Sequence, residues 1–201
     1  MKGVVLISGS GSNLQSLIDN ADHINLEIGA VISNKEGAYG LKRAQQVNIP
    51  THAINHKQFS SREEFDQILS QTIDQYQPEI IILAGFMRIL TSKFTQKYTG
   101  KMLNIHPSLL PKFQGLNTHQ RALDAGESEH GVSVHFVTDE LDGGPIIAQS
   151  RINILANDSA DSLARRVLVE EHKLFPEVVH WFTQGRLILK GSQAFLDGQA
   201  L

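Results

Sequence analysis

The chain has 201 residues, 41% of them hydrophobic and 19% charged, and its 18 basic against 21 acidic side chains give a formal net charge of −3. This is the composition of a globular protein, and with no basic block along the chain a nucleic-acid surface is not indicated. There is no cysteine, which excludes disulfides, thiolate nucleophiles, Cys-based zinc sites and iron–sulfur clusters together. The longest apolar runs are far short of the roughly 20 residues of a membrane span. Met1-Lys2-Gly3 leads straight into a strand with no signal-peptide pattern, so the cytoplasm is the expected location.

Short apolar runs alternate with amphipathic stretches from the first residue. Residues 3–7 are a buried-strand candidate, followed by a Gly/Ser turn and a helix over 12–20. A strand over 26–32, a helix over 39–47 and a weaker strand over 51–54 come next. Ser60 with Glu63 fits a capping box opening a further helix, whose apolar stripe is Phe65, Ile68, Leu69, Ile73 and Tyr76. Residues 80–84 are uniformly apolar and predict a central parallel strand buried on both faces. A short helix over 92–98 and a strand over 102–105 complete a βαβ alternation.

The pattern changes after His106. Residues 107–117, with two prolines, a glycine and no period, read as a loop, and 118–125 as a helix. Val132, Val134 and Phe136 alternate with Ser133, His135 and Val137, which predicts a strand with two different faces. A turn over 141–145, a strand over 146–154, a long helix over 160–182 bending at Pro176, and a strand or edge over 187–189 close the chain. The expectation is an α/β fold: a Rossmann-like open, mostly parallel sheet with helices on both faces, in one domain spanning 1–201.

Three segments could carry chemistry. Ser8-Gly9-Ser10-Gly11-Ser12-Asn13-Leu14 lies between a strand and a helix, where glycines allow a tight turn and the helix start offers free N–H groups to an anion. A dinucleotide fingerprint needs a glycine where Leu14 stands and an acid after the second strand, where Ser33-Asn34-Lys35 follow; a Walker A loop needs a GK[ST] that is absent. The turn therefore suggests one phosphate or carboxylate rather than NAD or ATP, with a plain glycine turn as the bland alternative. Asn104-Ile105-His106-Pro107 ends a predicted central strand, where α/β sheets bind ligands, and Asn104 and His106 point to one side. They offer an amide donor and a titratable imidazole to one ligand atom, or else they close a loop by hydrogen bonds. Asp142, in Leu141-Asp142-Gly143-Gly144-Pro145, is either a turn residue or the carboxylate that orients His106. His135 and Ser133 are possible site-lining residues. No metal-ligand spacing occurs among the nine histidines, so no metal is expected. His23, His52, His56 and His180 read as structural; Glu170, Glu171 and His172 lie in the long helix, where adjacent carboxylates usually form a solvated face, though a Glu at the sheet's ligand edge could bind ribose hydroxyls.

Taken together, these segments resemble the phosphoribosylglycinamide formyltransferase family over essentially the whole chain. The best-matching blocks are Leu83-Ala84-Gly85-Phe86-Met87-Arg88-Ile89-Leu90, Asn104-Ile105-His106-Pro107-Ser108-Leu109-Leu110-Pro111, and His130-Gly131-Val132-Ser133-Val134-His135-Phe136-Val137. The resemblance implies the formyltransferase fold and transfer of a formyl group from 10-formyltetrahydrofolate, as cosubstrate, to the amine of glycinamide ribonucleotide in purine synthesis. It implies that Asn104, His106 and Asp142 are catalytic, that Gly11, Ser12 and Asn13 hold the substrate phosphate, and that Glu171 contacts its ribose. Arg62, Met87, Arg88, Ile89 and Leu90 match folate-lining positions, with Asn104 and the turn Thr138, Asp139, Glu140, Leu141 and Asp142 flanking the pterin. Gln114 stands where many relatives have proline, and residues 109–130 are expected to form a mobile flap. The expected partners are small molecules, with no nucleic acid and no membrane, in a monomer or weak homodimer.

The rivals are a formyltetrahydrofolate deformylase, a methionyl-tRNA formyltransferase and a non-catalytic nucleotide-binding module or NAD-linked dehydrogenase. The first usually carries an extra N-terminal domain, and the second needs a basic C-terminal extension. The Asn104/His106/Asp142 trio speaks against the binding module, and the turn's missing features against the dehydrogenase.

Overall fold

The computed structural model describes residues 1–201. Its main sheet is built from β1 (Lys2–Ile7), β2 (Glu27–Ser33), β3 (Thr51–Ala53), β4 (Ile80–Leu83), β5 (Met102–His106), β6 (Glu129–Phe136) and β7 (Ile146–Asn153), in the order β3-β2-β1-β4-β5-β6-β7. β1 to β5 run parallel, and β6 and β7 join antiparallel beyond β5. The sheet is thus the mostly parallel one expected. The helices are α1 (Ser12–Asn20), α2 (Tyr39–Gln46), α3 (Arg62–Asp74), α4 (Ser92–Lys97), α5 (Thr118–Asp124) and α6 (Ala160–Thr183).

The period-two pleat explains why the central strands are apolar throughout. In β1, Val5 and Ile7 join the core beneath α1, α2 and α6, whereas Val4 and Leu6 join the opposite core beneath α3 and α4. In β4, Ile80 and Ile82 take the first side and Ile81 and Leu83 the second. Leu14, Leu17, Leu163, Val167, Phe175 and Val178 cover one face; Phe65, Leu69, Ile73, Phe94 and Tyr98 cover the other.

β5 departs from this rule at its carboxyl end. Leu103 and Ile105 still point into the α6-side core, but on the other face Met102 is followed by Asn104 and His106. β6 repeats the break: Val132, Val134 and Phe136 enter the α6-side core, and Ser133 and His135 point the other way. The antiparallel register sets Asn104 opposite His135 and His106 opposite Ser133. Four polar side chains so form one patch on the sheet face where the apolar layer ends.

The structure corrects several details of the sequence reading. The cap of α3 is shifted by one residue: Ser61 Oγ accepts from Glu64 N–H, and Glu64 Oε2 accepts from both the N–H and the hydroxyl of Ser60. Serines and glutamates are doubled here, so either frame fits the capping pattern. Ile68, expected in the α3 stripe, is exposed. β6 begins at Glu129, earlier than its alternation suggests. The long helix expected over 160–182 is present as α6, which runs through Pro176 to Thr183. Beyond the strand expected near 187–189 the chain adds a separate antiparallel sheet of β8 (Leu187–Lys190), β9 (Gln193–Leu196) and β10 (Gln199–Ala200).

Candidate active site

The carboxyl ends of β1 and β5, on either side of β4, place the glycine turn and the Asn104–His106 pair at one edge of the sheet, and the turn after antiparallel β6 brings Asp142 to that pair. Asp142 is the hub of the polar patch. It sits in the left-handed region at φ 49°, unusual for a residue with a side chain, and its carboxylate is only 10% exposed. Gly115 N–H donates to its Oδ2 at 2.9 Å, and His106 Nδ1 lies 3.5 Å from the same oxygen. Gly144 lets the turn close, since a Cβ there would stand 1.8 Å from the Phe136 carbonyl oxygen.

Proton positions follow from the partners. His135 Nδ1 faces the Phe136 carbonyl oxygen at 2.8 Å, an acceptor only, so Nδ1 carries the proton. Burial holds the His135 imidazole below its ordinary pKa, which leaves the ring neutral and Nε2 an acceptor. Asn104 Nδ2 donates to that nitrogen at 3.0 Å, and at 3.4 Å to Asp142 Oδ1. The 3.8 Å approach of His135 Nε2 to Asp142 is therefore two acceptors sharing one amide rather than an ion pair. By the same reasoning His106 Nε2 is protonated, because it donates to the Phe113 carbonyl oxygen at 2.9 Å. Ser133 ties the frame together: its hydroxyl donates to Ser108 O and accepts from Leu110 N–H and Gln149 Nε2.

An open cleft of about 480 Å³ leads to this patch. Of the expected folate-lining residues, Arg88, Ile89, Leu90, Asn104, Thr138, Asp139, Glu140, Leu141 and Asp142 line it, and His135 joins them. Arg62 and Met87 are exposed and lie outside its walls. His106 also does not line it, since Phe113 of the loop after β5 stands against its ring nitrogen. No group of three or more His, Asp or Glu side chains is placed to hold a metal.

The glycine turn leaves the start of α1 uncapped. Gly11 takes φ 71° before α1, no side chain caps this helix, and its first turn holds no acid, so its leading N–H groups stay open to a ligand. Asn13 Nδ2 donates to Glu171 Oε2 at 2.6 Å across to α6, while Asn13 Oδ1 is buried without a partner. Glu171 is buried rather than part of a solvated face, and burial raises its pKa against the opposing Asn13 bond. The turn adjoins the cleft: Ser8 Oγ accepts from Met87 N–H at 2.7 Å and donates to Asn34 Oδ1 at 2.5 Å.

Sequence reasoning misses two residues of α2. Gly40 packs so closely on the turn that a Cβ added at Gly11 would come within 2.6 Å of its Cα. Arg43 Nε donates to the Ser10 carbonyl oxygen at 2.9 Å. A glycine in the first turn of a helix, at some cost in propensity, was the available signal.

A sheet of this order with a polar trio at its carboxyl edge defines a class, and the chain belongs to the formyl transferase family, whose model matches residues 1–179. It is 52% identical over 203 residues to phosphoribosylglycinamide formyltransferase of Escherichia coli (strain K12), spanning 100% of this chain and 96% of that protein. It is 46% identical over 187 residues to the human trifunctional purine biosynthetic protein adenosine-3, spanning 92% of this chain but 18% of that one. Among solved structures, phosphoribosylglycinamide formyltransferase from Coxiella burnetii superposes with a TM-score of 0.96 at 56% identity, covering 100% of this chain and 95% of that one.

Proposed function

We propose that this chain transfers a formyl group from 10-formyltetrahydrofolate to the primary amine of glycinamide ribonucleotide, as a step of purine synthesis. The observation that carries the reading is the meeting of Asn104, His106 and Asp142 around one carboxylate beside an open cleft and a helix-terminus cradle. The cleft suits the folate and the Gly11–Ser12–Asn13 cradle suits the phosphate, with Glu171 near the ribose. No helix is long and apolar enough to cross a membrane, and the reading puts the chain with cytoplasmic enzymes acting on small molecules.

The residues then take the following roles. The substrate amine attacks the formyl carbon, a C–N bond forms and negative charge develops on the formyl oxygen. Asn104 donates to that oxygen with the amide hydrogen that Asp142 holds only at 3.4 Å, the other staying on His135. His106 Nε2 donates as well, once it exchanges the Phe113 carbonyl for the oxyanion. Asp142 Oδ2, 3.5 Å from Nδ1, orients the His106 ring toward the reacting group. The bond from the formyl carbon to N10 then breaks with its electron pair going to N10. The attacking nitrogen loses a proton, N10 gains one, and Asp142 relays it through water. The nucleophile belongs to the substrate, so the enzyme supplies orientation and electrostatics.

An absorbance assay with the formylated folate, run with and without glycinamide ribonucleotide, tests this. The expected result is deformylated folate formed only when the amine is present. Equal rates without it would make the chain a hydrolase, and no turnover at all would leave a binding module.

A further inference from the structure

We infer that Arg43 is part of the phosphate site: a guanidinium fixed against the glycine turn that adds a full positive charge to the amides at the start of α1. This rests on the reading above for the identity of the anion, and goes beyond it in assigning a side chain from α2 to substrate recognition.

The geometry is that of a clamp. Arg43 Nε donates to Ser10 O at 2.9 Å and Nη1 donates to Gln15 Oε1 at 3.1 Å, so its bonds bracket Gly11, Ser12 and Asn13 from both sides. Its stem packs on the turn, with Cδ 3.5 Å from the place a Cβ on Gly11 would take. The Tyr39 ring centroid lies 5.0 Å from its Cζ, a cation–π contact that restrains the guanidinium. Gly40 supports the arrangement, since its N–H donates to Gly9 O and its Cα lies against Gly11.

The charge balance makes the assignment. Arg43 is half-buried, and no carboxylate lies within ion-pair distance of it; both its hydrogen-bond partners are neutral. Its Nη2 makes no hydrogen bond. A helix terminus supplies only about half a positive charge, whereas a phosphate monoester carries between one and two negative ones near neutral pH. Glu171, tied to Asn13 at 2.6 Å, worsens the deficit. His172 beside it does not repair this, because burial and the charge of Arg43 both hold its imidazole below the ordinary value. A preorganised guanidinium with spare donors meets the need, and its planar fork matches phosphate oxygens.

The test compares glycinamide ribonucleotide with its dephosphorylated riboside in the wild type, Arg43→Gln and Arg43→Lys, with a thermal melt to verify folding. In the wild type, turnover of the phosphorylated amine is by itself enough to establish the reading on which the inference rests, and the riboside is expected to react with a higher KM. Arg43→Gln should then raise KM for the phosphorylated amine by about 10- to 100-fold, with kcat within about twofold and the riboside's KM within about twofold. Arg43→Lys, which keeps the charge but not the clamp, should recover KM to within about threefold of wild type. Equal rises in KM for both substrates, no rise for either, or a lysine variant as poor as the glutamine variant would overturn the inference. If Arg43→Gln does not fold, Arg43→Met, which keeps the stem over Gly11, is held to the same criteria.

Discussion

At the scale of single residues, hydrogen-bond partners fix where the protons of the polar patch sit. The Phe136 carbonyl decides the tautomer of His135, His135 decides which way the Asn104 amide faces, and Asn104 presents its second hydrogen toward Asp142 and the cleft. If that chain serves oxyanion stabilisation, His106→Ala and Asp142→Asn should each lower kcat by at least about 10²-fold while leaving the fold intact. Steady-state kinetics beside circular dichroism measures both quantities, and near wild-type turnover in either variant refutes the role given to it. The sequence shows Asn104 and His106 as a pair, because alternate residues of a strand share a face. It does not show that His135 stands opposite Asn104, since register depends on which strands pair and in which direction. Glu171 is ambiguous in the sequence for a similar reason: an acid beside another acid on a helix usually meets water, and only the docking of α6 on α1 buries this one against Asn13.

At the scale of elements, the segment after β5 matters most. Its carbonyl at Phe113 occupies His106 Nε2, and Gly115 N–H and Gln114 Nε2 both bond Asp142. Crystals with and without a bound folate and amine should differ in this segment, the bound form having His106 Nε2 released from Phe113. The same 2.9 Å bond in both forms would count against the mechanism. A second prediction concerns β6 and α5. His130, buried and 3.1 Å from His119, has its pKa pushed down to about 4 by burial first and by the neighbouring imidazoles next. The unfolded chain binds that proton near 6.5, so between about 6.5 and 4 the unfolded state holds more protons and stability falls as pH falls. Urea titrations across this window should show the decline, and His130→Gln should remove up to about 3 kcal/mol of it. A pH profile unchanged by that substitution would mean the imidazole is not held neutral. Neither contact is visible in the chain order, because both join segments through packing rather than periodicity.

At the scale of the whole molecule, one sheet carries two cores, and the helices that cover them come from distant parts of the chain. Phe175 of α6 closes one face and Phe65 of α3 the other, each fully buried or nearly so. We expect one cooperative urea transition, with Trp181 fluorescence and far-ultraviolet circular dichroism coincident, and a loss of about 3–5 kcal/mol for Phe175→Ala or Phe65→Ala. Two separated transitions would divide the chain into independent units. Much of this architecture was legible beforehand. The alternation of apolar runs with amphipathic stretches determined an α/β sheet with a parallel centre, because burial on both faces demands unbroken apolar strands. Gly11 and the polar ends of β5 and β6 were likewise written in the chain, since a left-handed turn and a break in the apolar pattern are local properties. What only the tertiary structure decided is how those local signals meet: the register that sets His135 opposite Asn104, the burial of Glu171 against Asn13, and the reach of Arg43 from α2 to the turn of α1. Local preference acts within a few residues, whereas these contacts depend on the crossing of elements far apart in sequence, and their energies exist only once the chain has folded.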